Sequence, residues 1–227
     1  RLLAVTGVQT CALPICRRAE DITATVAGGR RPSGDLGAGC AMSNFTAMRY
    51  TAADVALATG GTLRGSDVAL DGVSYDSRSL RPGQLFVPIV ADRDGHEFVD
   101  AAVVAGAPAY LTTGRRTTGS ATAIEVADTT VALLALGAWA RRRFPERVIG
   151  ITGSVGKTGT KEALKLALAA HGSTYASAGN LNSSTGAPLA LARMPADAVY
   201  AVLEMGMNRA GEIGPNSRVA QIGRAHV

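Results

Sequence analysis

Aromatic residues make up only 4% of the 227-residue chain, too few for the successive stacking platforms on which proteins hold single-stranded nucleic acid. Long hydrophobic runs are missing as well. The longest, Val131 to Ala140, falls far short of the roughly 20 residues that span a bilayer. Cysteine is confined to Cys11, Cys16 and Cys40. That clustering excludes a disulfide framework distributed through a fold, and the spacing matches no metal site. The leader lacks the basic stretch followed by an apolar core that a secretory signal needs.

What is present is a core-forming composition. Hydrophobic residues amount to 47%, which excludes disorder over the whole chain. The formal net charge is +5, but the basic residues are scattered arginines, and abundant arginine, glycine and alanine also fit GC-rich coding. The one cluster, Arg141–Arg143, closes an expected helix, where cations complement the helix dipole. Neither a nucleic-acid nor a membrane partner follows from this charge.

The two ends share one source. Val5 to Ile15 and Ile222 to Val227 resemble translations of the two strands of a single sequencing-adapter oligonucleotide. Residues 1–41 and 222–227 are therefore expected to stand outside the fold, with the native reading starting at Met42 or Met48. Five arginines against Glu20, Asp21 and Asp35 in the leader, together with Arg224, carry three of the five net charges. The remainder is only weakly basic.

From Met48 onward, helical and extended patterns alternate. Thr51 caps a short helix that stops at Gly60–Gly61. Strands are expected over Val68–Tyr75 and Gln84–Val90, around the turn Arg81-Pro82-Gly83. A helix is expected over His96–Ala105, then strands at Ala109–Thr112 and Ala123–Val126. Asp128 or Thr129 opens a longer helix to about Arg143, stopped by Phe144-Pro145. Past this proline, a candidate domain boundary, come a strand Val148–Thr152, a glycine-rich loop, a helix Thr158–Ala170 and a strand Tyr200–Glu204. Alternating β and α segments with buried apolar strands imply an α/β fold with a mainly parallel sheet.

The loop carries the chemistry. Gly153-Ser154-Val155-Gly156-Lys157-Thr158 follows a strand and opens a helix, so its backbone N–H groups and the helix start are placed to receive phosphate. Lys157 reaches toward β- and γ-phosphates, and the Thr158 hydroxyl suits a magnesium ion. The glycines, at 150 and 153, depart from the usual phosphate-loop spacing, which puts its first glycine at Ile151. Glu204 ends an apolar strand, where an acid beside a phosphate loop commonly holds magnesium. Asn180 and Asn182 read by themselves as turn residues.

Together these segments resemble the Mur ligases of peptidoglycan synthesis. The resemblance rests on Gly150 to Glu162, on Gly179-Asn-Leu-Asn-Ser-Ser-Thr-Gly-Ala-Pro-Leu189 and on Glu204-Met-Gly-Met-Asn-Arg-Ala-Gly-Glu-Ile213. Upstream it is carried by Asp76-Ser-Arg78, Pro82 to Phe86 and Asp94-Gly-His-Glu-Phe98. It implies a small N-terminal α/β domain for a UDP-linked substrate (48–144), followed by the start of a phosphate-loop central domain (147–221). It further implies ATP and Mg2+ as cofactors, with Gly153 to Gly159 around the nucleotide and Lys157 and Glu204 catalytic. Thr158 and Glu204 would be the metal ligands, and Ser77, Arg78, Asn180 and Asn182 substrate contacts. His96 is expected as a polar loop residue.

The implied reaction joins UDP-N-acetylmuramoyl-tripeptide to D-alanyl-D-alanine through an acyl phosphate, in the cytoplasm of a bacterium, by a monomer. Gly159 replaces a usual Thr or Ser, and Arg209 a usual His. No segment resembles the family's later catalytic lysine or its third domain, so the expected protein is a ligase fragment. The alternatives are a non-catalytic nucleotide- or UDP-sugar-binding module and a sister ligase with another substrate.

Overall fold

The computed structural model describes residues 4–7 (backbone only), 49–114, 120–144, 147–179, 181–207 and 210–223. All three cysteines, Pro145, Asn180 and Arg209 lie outside the described residues.

After a first strand β1 (Ala4–Gly7) come β2 (Tyr50–Thr51) and α1 (Ala52–Thr59). Thr51 starts α1 with a reciprocal cap: its hydroxyl accepts the Asp54 N–H, and the Asp54 carboxylate accepts the Thr51 N–H. Strands β3 (Thr62–Arg64), β4 (Ala69–Leu70), β5 (Val73–Ser74) and β6 (Leu85–Phe86) follow. The single strand expected over 68–75 is thus two. Gly72, at φ 111°, turns the chain through a conformation that other residues rarely adopt. As a result β4 pairs antiparallel with β2, while β5 pairs parallel with β6. Of the strand expected over 84–90, only β6 and an isolated bridge from Val90 to Asp94 remain. The helix expected over 96–105 starts as a tighter 3-10 turn, Gly95–Phe98, and continues as α2 (Val99–Val104).

Strands β7 (Ala109–Thr112) and β8 (Thr122–Glu125) lead to α3 (Thr129–Arg143). The Asp128 carboxylate opens α3 by accepting the N–H groups of Thr130 and Val131. The first large sheet has the order β3-β8-β7-β6-β5, parallel except for β3.

The second half runs β9 (Arg147–Gly153), α4 (Lys157–Ala169), β10 (Thr174–Ala176), α5 (Gly186–Ala192), β11 (Tyr200–Glu204) and α6 (Ile213–Val219). Its sheet, β1-β9-β11-β10, is parallel throughout. The α/β class expected of the sequence is the class observed.

Two segments expected outside the fold take part in it. Ala4–Gly7 pairs with Gly150–Gly153 along the outer edge of β9. An unpaired strand edge accepts any extended segment that offers complementary N–H and C=O groups, so this pairing needs no sequence designed for it. Ile222 packs against the core, close enough to Gly150 that a Cβ there would sit 2.6 Å from its Cδ1.

One cluster of buried apolar side chains extends from Tyr50 to Ala220, with Leu133, Leu136, Leu189 and Leu203 among its members. Residues 48–144 and 147–221 share it. Helix α3 packs against α1, α5 and α6. Polar ties reinforce the join: Arg193 Nε donates to the Val73 carbonyl at 2.7 Å, and the Tyr50 hydroxyl donates to the Ala192 carbonyl. Burial pushes the Tyr50 phenol well above its ordinary range, which keeps it a donor.

Candidate functional site

Strand β9 delivers the chain to Gly153, and Gly156, at φ 77°, turns it into α4. No side chain caps this helix start, so its first N–H groups are left for an external acceptor. Ser154, Val155 and Gly156 are exposed. Lys157 folds back over the loop and donates to the Gly153 carbonyl at 2.8 Å. The Thr158 hydroxyl, one residue further on, donates to Glu204 Oε2 at 2.9 Å.

Glu204 arrives from the neighbouring strand. In the parallel pairing of β11 with β9 it stands opposite Ile151, which brings its carboxylate level with the loop. The side chain is buried, 3% exposed. Its second oxygen, Oε1, accepts a hydrogen bond from Asn182 Nδ2 at 2.8 Å. Asn182, expected as a substrate contact, is therefore directed at the acid. Its own carbonyl accepts the Gly206 N–H at 2.7 Å, which closes the 182 and 206 segments on each other. Asn180 lies outside the described residues.

Two partners of Glu204 went unnoticed in the sequence. Ser177 Oγ accepts the Glu204 N–H at 3.0 Å. Lys161, 1% exposed, places its ammonium 3.7 Å from Glu204 Oε2. A signal for it existed, since residue 161 lies one helical turn beyond Lys157 and on the same face.

A hydroxyl and a carboxylate together beside an open, glycine-rich helix start suit magnesium. That ion is typically held by one or two carboxylates, with nucleotide phosphates and water completing its shell. Among the described residues no group of three or more His, Cys, Asp or Glu could form an all-protein metal site. Thr158 and Glu204 thus fit a metal that comes with a phosphate.

A second constellation lies at the other sheet. Ser77 and Arg78 line a cavity of about 440 Å³ whose walls include Tyr75, Ile89, Arg93 and Phe98. Arg78 is held by a two-pronged contact, Nε to Asp76 Oδ1 at 2.9 Å and Nη2 to Oδ2 at 2.8 Å. The hydrogen bonds from this guanidinium are the main cause that holds the Asp76 carboxyl below its ordinary range. Arg93 lies 4.9 Å from the Phe98 ring centroid. Asp76 and Asp92 share the lining, and Glu97 lies 3.6 Å from Arg93, so the cavity offers a diphosphate two arginines that carboxylates already contact, over apolar walls. His96 is buried: its Nδ1 meets Asp94 Oδ1 at 2.6 Å, and its Nε2 accepts the Thr113 N–H at 3.4 Å. It ties loops together from inside, where the sequence suggested a polar loop residue.

Residues 151–226, which contain the loop, Asn182 and Glu204, match the Mur ligase middle domain. The chain belongs to the Mur ligase family. One relative, the UDP-N-acetylmuramoyl-tripeptide–D-alanyl-D-alanine ligase of Escherichia coli K12, is 43% identical over 154 residues, 67% of this chain and 34% of the relative. The ligase of the same name from Bacillus subtilis 168 is 37% identical over 179 residues, 76% and 39% of the two chains. Among solved Mur ligases, the UDP-N-acetylmuramoylalanyl-D-glutamyl-2,6-diaminopimelate–D-alanyl-D-alanyl ligase of Acinetobacter baumannii superposes with a TM-score of 0.72. It is 32% identical, over 81% of this chain and 42% of that one. MurF of Thermotoga maritima, solved in complex with ADP, gives a TM-score of 0.56 at 33% identity, over 66% and 35%. This Mur ligase chain therefore spans between a third and two-fifths of the length of the two curated relatives.

Proposed function

We propose that this chain is the substrate- and ATP-binding part of a ligase that joins UDP-N-acetylmuramoyl-tripeptide to D-alanyl-D-alanine. The observation that carries the reading is the meeting of Thr158, Glu204 and Asn182 at the uncapped helix start of the phosphate loop. The relatives that bear this activity in their names, and the ADP complex of one of them, support it.

In this reading residues 147–221 bind ATP. Gly153 to Gly159 receive its phosphates on backbone N–H groups, and Lys157 leaves the Gly153 carbonyl to neutralise the transferring phosphoryl group. Thr158 and Glu204 hold Mg2+, which supplies further charge neutralisation there. Residues 48–144 bind the UDP-linked tripeptide, with Ser77 and Arg78 at the diphosphate. The tripeptide carboxylate attacks the γ-phosphorus, ADP leaves, and an acyl phosphate forms. The amine of D-alanyl-D-alanine then attacks the acyl carbon, phosphate leaves, and the amide is made. Asn180 joins Asn182 in positioning. Both nucleotide substrates place the reaction in the bacterial cytoplasm. No helix among the described residues is long and apolar enough to cross a membrane.

Calorimetry on the 227-residue chain tests the binding half: ADP with Mg2+ and the UDP-linked tripeptide each give a saturable isotherm. Ligation assayed on the full-length ligase tests the rest. Lys157→Ala is expected to lower kcat/KM by at least about 100-fold, about 2.7 kcal/mol of transition-state stabilisation. A loss below about tenfold removes Lys157 from that role, and absence of any nucleotide binding by the chain overturns the reading.

A further inference from the structure

Helix α4 buries one side chain fully, and that side chain is a lysine. A helix lying on a sheet normally turns an apolar stripe inward, and Leu164 and Leu168 on the same face are only half-buried. Lys161 takes the deepest position because acceptors surround it. Its Nζ donates to the Ser177 carbonyl at 2.9 Å and to the Gly179 carbonyl at 3.3 Å. It also lies 3.7 Å from Glu204 Oε2 and 3.5 Å from Glu162 Oε1. A buried ammonium needs such a set of partners to be tolerated.

Lys161 and these partners belong to three different pieces of the site. Ser177 and Gly179 begin the segment that carries Asn182. Glu204 ends β11, and Lys161 itself stands one turn from Lys157 and Thr158 on α4. Glu204 Oε2 is shared between the Thr158 hydroxyl and the Lys161 ammonium, while Oε1 belongs to Asn182. Ser177 acts on Glu204 a second time through its hydroxyl.

We propose that Lys161 is a positioning residue of the phosphate site, fixing Glu204 and the Ser177–Gly179 carbonyls against α4 so that the metal-facing arrangement exists before nucleotide arrives. The inference rests on the nucleotide reading above. It assigns Lys161 no contact with nucleotide or metal. Groups that orient a metal's ligands act on the metal-loaded complex and leave metal-free contacts untouched. The phosphate loop's N–H groups and Lys157 do not depend on residue 161.

The test is calorimetric titration of ADP, with and without Mg2+, into the wild-type chain, Lys161→Gln and Lys161→Met. Amide hydrogen exchange over residues 177–183 provides a second readout. Lys161→Gln is expected to weaken ADP binding in Mg2+ by about tenfold or more, the scale on which outer-shell partners act, and to change metal-free ADP binding by less than about twofold. Exchange at 177–183 accelerates in both variants. If Lys161→Met loses its circular dichroism signal, Lys161→Gln, which keeps a donor for the two carbonyls, decides alone. Unchanged binding in Mg2+, or equal losses with and without it, overturns the proposal. A wild-type chain that binds no ADP overturns the nucleotide reading and this inference with it. A wild type that binds while Lys161→Gln is indifferent overturns the inference alone.

Discussion

Asn216 is 1% exposed, and neither its Nδ2 nor its Oδ1 finds a hydrogen-bond partner among the described residues. A buried amide without partners forfeits the hydration it had in the unfolded chain. Leucine has nearly the same shape and nothing to hydrate. Asn216→Leu is expected to stabilise the chain by about 1–3 kcal/mol, which for a chain of this size raises Tm by roughly 3–10 °C. Thermal unfolding checks it, and an unchanged or lower Tm means that the amide is satisfied after all. Arg78 and Asp76 give a residue-scale prediction of another kind. Because the fork of Arg78 favours the ionised carboxylate, Asp76 should titrate below the ordinary aspartate value of about 3.9. The sign follows: the contact contributes fully above that ordinary value and is lost as pH falls through the lowered one. NMR titration of the Asp76 carboxyl should show this low midpoint, and Arg78→Ala should return it toward the ordinary value. Lys157, Thr158 and Glu204 were legible from sequence because a strand, a glycine-rich loop and a helix fix their relations locally. The turn of Asn182 onto Glu204 was not, since it depends on how the 177–185 segment folds over β11.

At the scale of elements, the boundaries that local chemistry dictates were the ones the sequence could show. The reciprocal cap between Thr51 and Asp54 and the Asp128 cap of α3 are both written in neighbouring residues. Thr51→Ala removes one half of the first cap, and a loss of about 1 kcal/mol is expected in urea unfolding with an unchanged slope. A changed slope would mean that the unfolding unit itself had changed. Helix α5 illustrates the opposite case. Every residue from Gly186 to Ala192 is buried, so no polar face exists to give a helical period, and Pro188 reads as a breaker although it occupies the first turn. Strands β4 and β5 are separated by exposed Asp71 and by Gly72 at φ 111°, a turn dipeptide that was legible in the sequence although a single strand was expected across it.

At the scale of the whole molecule, the edge of β9 is the exposed point. Strand β9 carries the phosphate loop at its end, and β11 covers only one of its sides. Ala4–Gly7 covers the other over four residues, Gly150 to Gly153. The apolar cluster from Tyr50 to Ala220 and the ties from Arg193 and Tyr50 join the two large sheets. A chain begun at Met42 should therefore fold, keep its nucleotide loop and uncover a row of unpaired N–H and C=O groups along Gly150–Gly153. Such an edge recruits a second copy. Sedimentation velocity of the Met42 chain should show association that rises with concentration more steeply than that of the 227-residue chain, whose edge on that side is the four-residue β1 in place of the seven-residue β9. Affinity for ADP in Mg2+ should be equal in the two at low concentration, because Thr158 and Asn182 both meet Glu204, which comes from β11. A Met42 chain that stays monomeric at every concentration shows that the edge is protected by other means. One that no longer binds ADP shows that β1 supports the loop as well as covering its strand.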